Sequence, residues 1–327
     1  MKLAAMLLPF LSLLAWSAPP RNLIIDTDAG SDDLMAIAFL LARPDVNIEA
    51  ITIVNGLAHV PAGGANVLRL LELAGRPAIP VYLGRATPLS GTNEFPEVWR
   101  TMSDQLPHVQ LPSTQRTPGK LPAAAYLRER LGNARKPVSI LALGPLTNIA
   151  EALASLPNSM LALDDLVIMG GAVRVAGNLA AGGTLYSDNR TAEWNIYIDP
   201  EAARKVFESV ERCRLVPLDA SNSVPIDAAF QRALETTAKS SLGRLVAQIV
   251  ASNRILIDQH EFYAWDPLAA VALVAPAVLK ISSVPLTVAL DAPQQGRTME
   301  TNSGRPLRVA LSADPALFRK TYLEALR

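Results

Sequence analysis

Four aspartates fall within eight residues in the run Ile25-Asp26-Thr27-Asp28-Ala29-Gly30-Ser31-Asp32-Asp33-Leu34. In any partly buried setting such carboxylates repel one another, so positive charge has to be brought among them. Oxygen-only donors in that number suit a hard cation. Ca²⁺ accepts several carboxylates and carbonyls in a flexible shell, whereas Mg²⁺ demands tighter geometry and keeps more water, so the donor set favours Ca²⁺. An EF-hand is excluded, because no glutamate closes the loop and an apolar strand precedes it. The single cysteine, Cys213, and the widely spaced His59, His108 and His260 leave neither a thiolate nor a His-rich metal site. The competing structural reading has Asp32 and Asp33 capping a helix and Asp26 in solvent.

The elements around this run form an alternating series. Residues 23–25 are a compact apolar strand ending at Asp26. Gly30 is expected to make the tight turn, and Ser31 or Asp32 to cap a helix over 34–41. Further strands are expected at 48–54, 81–83, 138–143 and 166–169, with helices at 62–73, 123–131 and 146–156. Fully apolar short strands separated by helices predict an α/β fold, an open, mostly parallel sheet covered on both faces. The C-terminal half reads as more helical, at 200–210, 228–238, 242–256 and 267–274, followed by strands at 284–290, 298–301 and 307–311 and a helix from 314. In open α/β sheets ligands bind beyond the carboxyl ends of the strands, which is where the aspartates lie. The Gly-, Pro-, Ser- and Thr-rich stretches 88–120 and 172–192 read as long loops that contact substrate.

Composition narrows the function. The chain has 327 residues, half of them hydrophobic, and 30 basic residues balance 30 acidic ones. That is enough for a large core, and it offers no field to gather nucleic acid or an anionic membrane. Residues 1–17 read as a cleavable secretory signal: Lys2, a short apolar run, then Ala15 and Ser17 before the cut. The expectation is a single domain over 18–327, exported to a periplasm or beyond, without stable membrane association.

Two families share a strand followed by Asp26-Thr27-Asp28. The haloacid-dehalogenase phosphatases do, but they leave Gly30 and Asp32-Asp33 without a role. The full phrase resembles the opening DTDPGxDD motif of the nucleoside hydrolase family, departing at Ala29. Leu143-Gly144-Pro145-Leu146-Thr147-Asn148 is similar to that family's GPLTN segment, and Met169-Gly170-Gly171 to its MGG strand end. Ala192-Glu193-Trp194-Asn195 with Asp199-Pro200 resembles its AEFN-DPEAA segment, and Trp265-Asp266-Pro267-Leu268-Ala269 its late HDPLA segment. The five segments keep their order over nearly the whole mature chain.

The resemblance implies a Ca²⁺-dependent enzyme that cleaves the N-glycosidic bond of ribonucleosides, with family members commonly dimers or tetramers. By that resemblance Asp28, Asp33 and Asp266 ligate Ca²⁺ through carboxylates and Thr147 through its carbonyl. Asp28 is the general base, Asp32 holds ribose hydroxyls and Asp26 supports the ligands. Asn178, Glu193 and Asn195 match ribose-binding positions, with Asn189 a rival of Asn178 because residues 179–191 form an insertion. Leu57 stands where the family has a ribose-binding asparagine, leaving Asn55 as a candidate replacement. Trp265 stands where pyrimidine-accepting members have a histidine; the purine-preferring branch has a tryptophan there that stacks on the base. Trp99 is a candidate second face of that clamp, and His260 reads as a helix-surface residue. Leu57 and the missing histidine keep a second class open, an exported nucleoside-binding protein without turnover.

Overall fold

Leu23, Ile24 and Ile25 have no solvent exposure, and both faces of their strand are covered. The computed structural model describes residues 19–132, 136–156, 162–180 and 187–327; the expected signal segment and part of the 179–191 insertion lie outside these. The N-terminal half alternates as β1 (Arg21–Thr27), α1 (Ser31–Leu41), β2 (Val46–Ile53), α2 (Val60–Leu73), β3 (Val81–Leu83), α3 (Glu97–Gln105), α4 (Ala123–Gly132), β4 (Val138–Ala142), α5 (Thr147–Leu153) and β5 (Leu163–Met169). There follow α6 (Trp194–Ile198), α7 (Pro200–Ser209), β6 (Cys213–Val216), α8 (Leu218–Ser221), α9 (Ala228–Thr237), α10 (Ser241–Ser252), α11 (Arg254–Asp258), α12 (Trp265–Val274), β7 (Leu279–Val288), β8 (Thr298–Glu300), β9 (Arg305–Ala313) and α13 (Pro315–Ala325).

The strands form one nine-stranded sheet in the order β3-β2-β1-β4-β5-β6-β9-β7-β8. All neighbours up to β9 are parallel, while β7 runs antiparallel to both β9 and β8. The open α/β architecture is as expected, with an antiparallel edge. From β1 the chain first builds outward through β2 and β3, then returns to place β4 on the other side of β1. The strand order therefore reverses between β1 and β4, the switch point at which such sheets open a ligand crevice.

Apolar helix faces cover both sides. One core packs α1, α10, α12 and α13 on the sheet around Phe39, Phe318 and Tyr322; the other packs α4, α5 and α7 around Leu127, Ile149 and Phe207. Asp165 on β5 is buried and accepts from Arg214 on β6 and Arg308 on β9, tying three neighbouring strands together.

Two expectations change. The stretch 88–120 is not all loop, since it contains α3, begun at Pro96 and stopped where Leu106 takes a left-handed φ of 47°. The helix expected over 242–256 breaks at Asn253, whose side-chain amide bonds back to the Ile249 carbonyl at 2.9 Å and competes with the helical ladder.

Candidate active site

At the end of β1 the chain must turn sharply to start α1. The turn falls on Ala29, at φ 57°, and not on Gly30, which is extended. Proline fixes φ near about −65°, so this turn has a conformation that proline at position 29 would not adopt. Gly30 is required for space instead: a Cβ there would lie 2.7 Å from Leu57 and 3.0 Å from Asp33 Oδ2. Neither Ser31 nor Asp32 closes the helix start. Asp33 does, accepting the Gly30 amide at 3.0 Å on Oδ2 and the Thr27 hydroxyl on Oδ1.

Asp28 sits in a cradle that only glycines allow. The Leu57 amide donates to its Oδ2 at 2.8 Å and the Ala58 amide to its carbonyl at 3.0 Å. A Cβ on Gly144 would come within 2.9 Å of Asp28 Cβ, and one on Gly56 would collide with the Asp28 side chain itself. We expect Gly56→Ala to push Asp28 from its place and lower turnover at this site at least about a hundredfold, because misplacing a reacting group by about 1 Å has that cost. Steady-state assays on the folded variant check this.

Around Asp28 the carboxylates converge from distant parts of the chain. One oxygen from each of Asp32, Asp33 and Asp266 lies within 4.8 Å of the others. Asp33 is in hydrogen-bond contact with both Asp28 and Asp266. Asp266 comes from the first turn of α12, where the helix dipole favours negative charge. Burial, then mutual repulsion, raises every one of these groups: Asp32 to about 6, Asp33 and Asp266 well above the usual carboxylate range. Burial likewise raises Asp28.

Among the described residues, no lysine, arginine or histidine lines this cavity. A buried all-oxygen acidic set without a cationic side chain fits a hard metal ion. Asp26 lies behind the cluster, fully buried, accepting from Thr52 at 2.5 Å and Asn148 at 2.8 Å; burial lifts it to about 7.

The cavity has a volume of about 580 Å³, within the range of small-molecule sites. Glu193 caps α6 from its far side, its carboxylate taking the amides of Asn195, Gly171 and Ile196, and burial raises it to about 7. Asn195 donates to the Leu143 carbonyl at 2.8 Å and the Met169 carbonyl at 3.3 Å. Asn178 lines the cavity and accepts the Trp194 amide at 3.1 Å. Its rival Asn189 does not line it; that side chain accepts the amides of Thr191 and Ala192 and donates to the Gln295 carbonyl.

Thr147 does not line the cavity, and its hydroxyl donates to Asp199 at 2.7 Å; Leu143, four residues earlier, lines it. Asn55 is buried but does not line the cavity either, whereas Leu57 does. His260 is also outside it.

Much of the remaining wall is aromatic and apolar, with Ser252, Asn253, Gln259 and Glu261 at one side. Trp265 packs edge-on against Phe262 at 5.8 Å, and Trp99 edge-on against Trp194 at 5.6 Å. Sequence reading missed Met102 and Ile255, exposed apolar side chains at the cavity, and Leu143. For α3 a signal existed: Trp99, Met102, Ser103 and Leu106 follow helical i, i+3, i+4, i+7 spacing.

A buried carboxylate cluster at the switch point of an open α/β sheet, facing an aromatic wall, is the site of an enzyme that can hold a hard cation beside an aromatic-bearing ligand. A family profile described as inosine-uridine preferring nucleoside hydrolase matches residues 23–320, and the chain belongs to that family. Among its relatives is the non-specific ribonucleoside hydrolase RihC of Salmonella schwarzengrund, 31% identical over 318 residues, covering 94% of this chain and 98% of the relative. Uridine nucleosidase 1 of Arabidopsis thaliana is 33% identical over 263 residues, covering 78% and 74%. The solved plant nucleoside hydrolase PpNRh1 superposes with a TM-score of 0.84 at 29% identity, covering 94% of this chain and 99% of that one. The chain is thus an N-glycosidase of ribonucleosides, and the phosphatase reading of its acidic turn is excluded.

Proposed function

We propose that this is a Ca²⁺-dependent ribonucleoside hydrolase, favouring purine nucleosides, exported and working as a homo-oligomer. One observation carries the reading: a cavity with a buried acidic floor, a wall that includes three tryptophans and no basic side chain among its described residues. The residues that would hold the ion are Asp28, Asp33 and Asp266, with Asp32 beside them. When bound, a hard dication keeps these carboxylates ionised and acidifies water held against them.

The chain's own residues do the rest. Asp28, fixed through one oxygen by the Leu57 amide, takes the proton of the attacking water. Asp32 holds the ribose hydroxyls, and Asn178, Glu193 and Asn195 hold the sugar from the far side. The glycosidic bond breaks through an oxocarbenium-like state, which the surrounding carboxylates stabilise, and the departing base takes its proton from solvent. Trp265 stacks on the departing base, favouring the larger purine ring.

The test is ribose release from inosine, guanosine, adenosine, uridine and cytidine, with Ca²⁺ and after exhaustive chelation. Chelator-sensitive release, fastest with purines, is expected. Release that survives chelation sinks the metal. In Trp265→Ala, kcat/KM for inosine should fall on the order of tenfold, since stacking adds about 0.5–1.5 kcal/mol to the area lost, and that for uridine less; equal losses remove the stacking role. Leu57 supports the second reading: if nucleoside binds without ribose release, the chain is a binding protein. Mass determination of the exported mature chain, and its native mass, test the cut after Ser17 and the oligomer.

A further inference from the structure

His59 is absorbed by neither the fold nor the chemistry so far described. It stands at the N-terminal end of α2, two residues after Leu57, whose amide fixes Asp28. Its backbone amide donates to Asp104 Oδ1 at 2.8 Å, and its ring Nδ1 meets Asp104 Oδ2 at 2.7 Å. A carboxylate only accepts, so Nδ1 carries the hydrogen, and one aspartate is gripped twice by one residue. On the other side, Nε2 lies 3.6 Å from Glu97.

Glu97 and Asp104 sit at the two ends of α3, seven residues apart and hence on one face. The other face carries Trp99, Met102 and Ser103 to the cavity. Further along α2, Asn66 donates to the carbonyls of Ser103 and Asp104 at 3.3 and 3.0 Å, satisfying groups that the end of a helix leaves open. Arg69 then holds the carbonyls of Leu111 and Pro112. The polar face of α2 is therefore a spine on which α3 hangs, and His59 is its contact nearest the catalytic carboxylates.

We propose that His59 is a positioning residue: its two bonds to Asp104 latch α3 so that Trp99 and Met102 form the substrate-facing wall. The latch couples that wall to the segment that seats Asp28, because Leu57, Ala58 and His59 are consecutive. This rests on the hydrolase reading above, so its test needs one arm independent of turnover.

The variants are His59→Ala, His59→Asn and Asp104→Asn, with the full chain and Ca²⁺. Two readouts apply: KM and kcat for inosine, and hydrogen exchange of residues 97–105 without substrate. In His59→Ala, KM should rise about tenfold, as expected when a positioned wall is loosened, while kcat stays within about twofold. Exchange at 97–105 should quicken, with 21–41 unchanged. The asparagine at 59 places an amide N–H where Nδ1 was and should restore most of the loss. Asp104→Asn keeps an acceptor for the backbone amide and puts a donor opposite Nδ1, which the ring can meet only by moving its hydrogen to Nε2; combined with His59→Ala it should add little to the single change.

A His59→Ala variant whose KM stays within twofold, or whose kcat falls at unchanged KM, overturns the latch. Should the wild-type chain release no ribose, the hydrolase reading fails instead, and the exchange arm still decides: unchanged protection of 97–105 in His59→Ala removes the proposal.

Discussion

Asp28→Asn should abolish ribose release while nucleoside still binds. The amide is nearly isosteric with the carboxylate and can still accept the Leu57 N–H that now reaches Oδ2 at 2.8 Å. It also fits the space left by Gly56 and Gly144, so the cradle persists. What it cannot do is take a proton. Positioned proton transfer contributes about 10²–10⁴ in rate, and an asparagine also removes one negative charge from the ion's surroundings, so a fall on the order of 10³ or more is expected. Single-turnover ribose release, with inosine binding measured in parallel at saturating Ca²⁺, gives the result. Turnover near the wild-type rate would remove Asp28 from the chemistry. Loss of binding together with turnover would show that its main work is holding the ion.

Stripped of metal, the protein should be more stable at pH 5 than at pH 8, and Ca²⁺ should reverse that order. Burial lifts Asp32 to about 6 and Asp26 and Glu193 to about 7, each from an unfolded value near 4. Asp33 and Asp266 are raised further in the same direction. With folded-state values raised, the folded state binds more protons than the unfolded one between pH 4 and pH 7. The contribution is therefore fully present below pH 4 and is lost as pH rises through 6 and 7. In apo protein above that window, several buried carboxylates are ionised with only one another for company. A bound dication gives them a partner and adds binding free energy to the folded state alone. Thermal unfolding at pH 5, 6 and 8, chelated and with Ca²⁺, tests both halves. A chelated melting temperature that rises steadily from pH 5 to pH 8 would contradict the buried acidic floor.

Much of this was legible because short apolar strands declare themselves. Leu166, Val167 and Ile168 have no polar side to offer, so they had to be part of an interior strand, and they are, whereas Val81–Leu83 forms the edge strand β3 with Tyr82 and Leu83 only half-buried. The acidic floor was legible too, because carboxylates so close in sequence at a strand end demand a shared partner. Three things were not. A residue's height along a strand end has no letter, so nothing in the sequence marked Leu143 as part of the cavity wall. The polar make-up of Glu97–Gln105, set among prolines and glycines, masked α3: its buried positions are Arg100 and Ser103, and the helical spacing of Trp99, Met102 and Leu106 was too sparse to outweigh them. The placement of β9 between β6 and β7 depends on which edge is free once the parallel sheet is built, and single-strand patterning carries no record of that.

That last placement has a consequence for how the chain comes together in time. β7 is made before β9, yet its sheet partners are β9 and β8, so it reaches the parallel sheet only across residues 305–313. A chain synthesised as far as residue 300 already carries Asp28, Asp33 and Asp266, but β7 and β8 still have no edge to join. Non-local pairings of this kind are slow to form and leave strands open meanwhile. On the ribosome the sheet therefore waits for its third-from-edge strand, and a nascent chain remains incompletely folded until nearly all of it has been made.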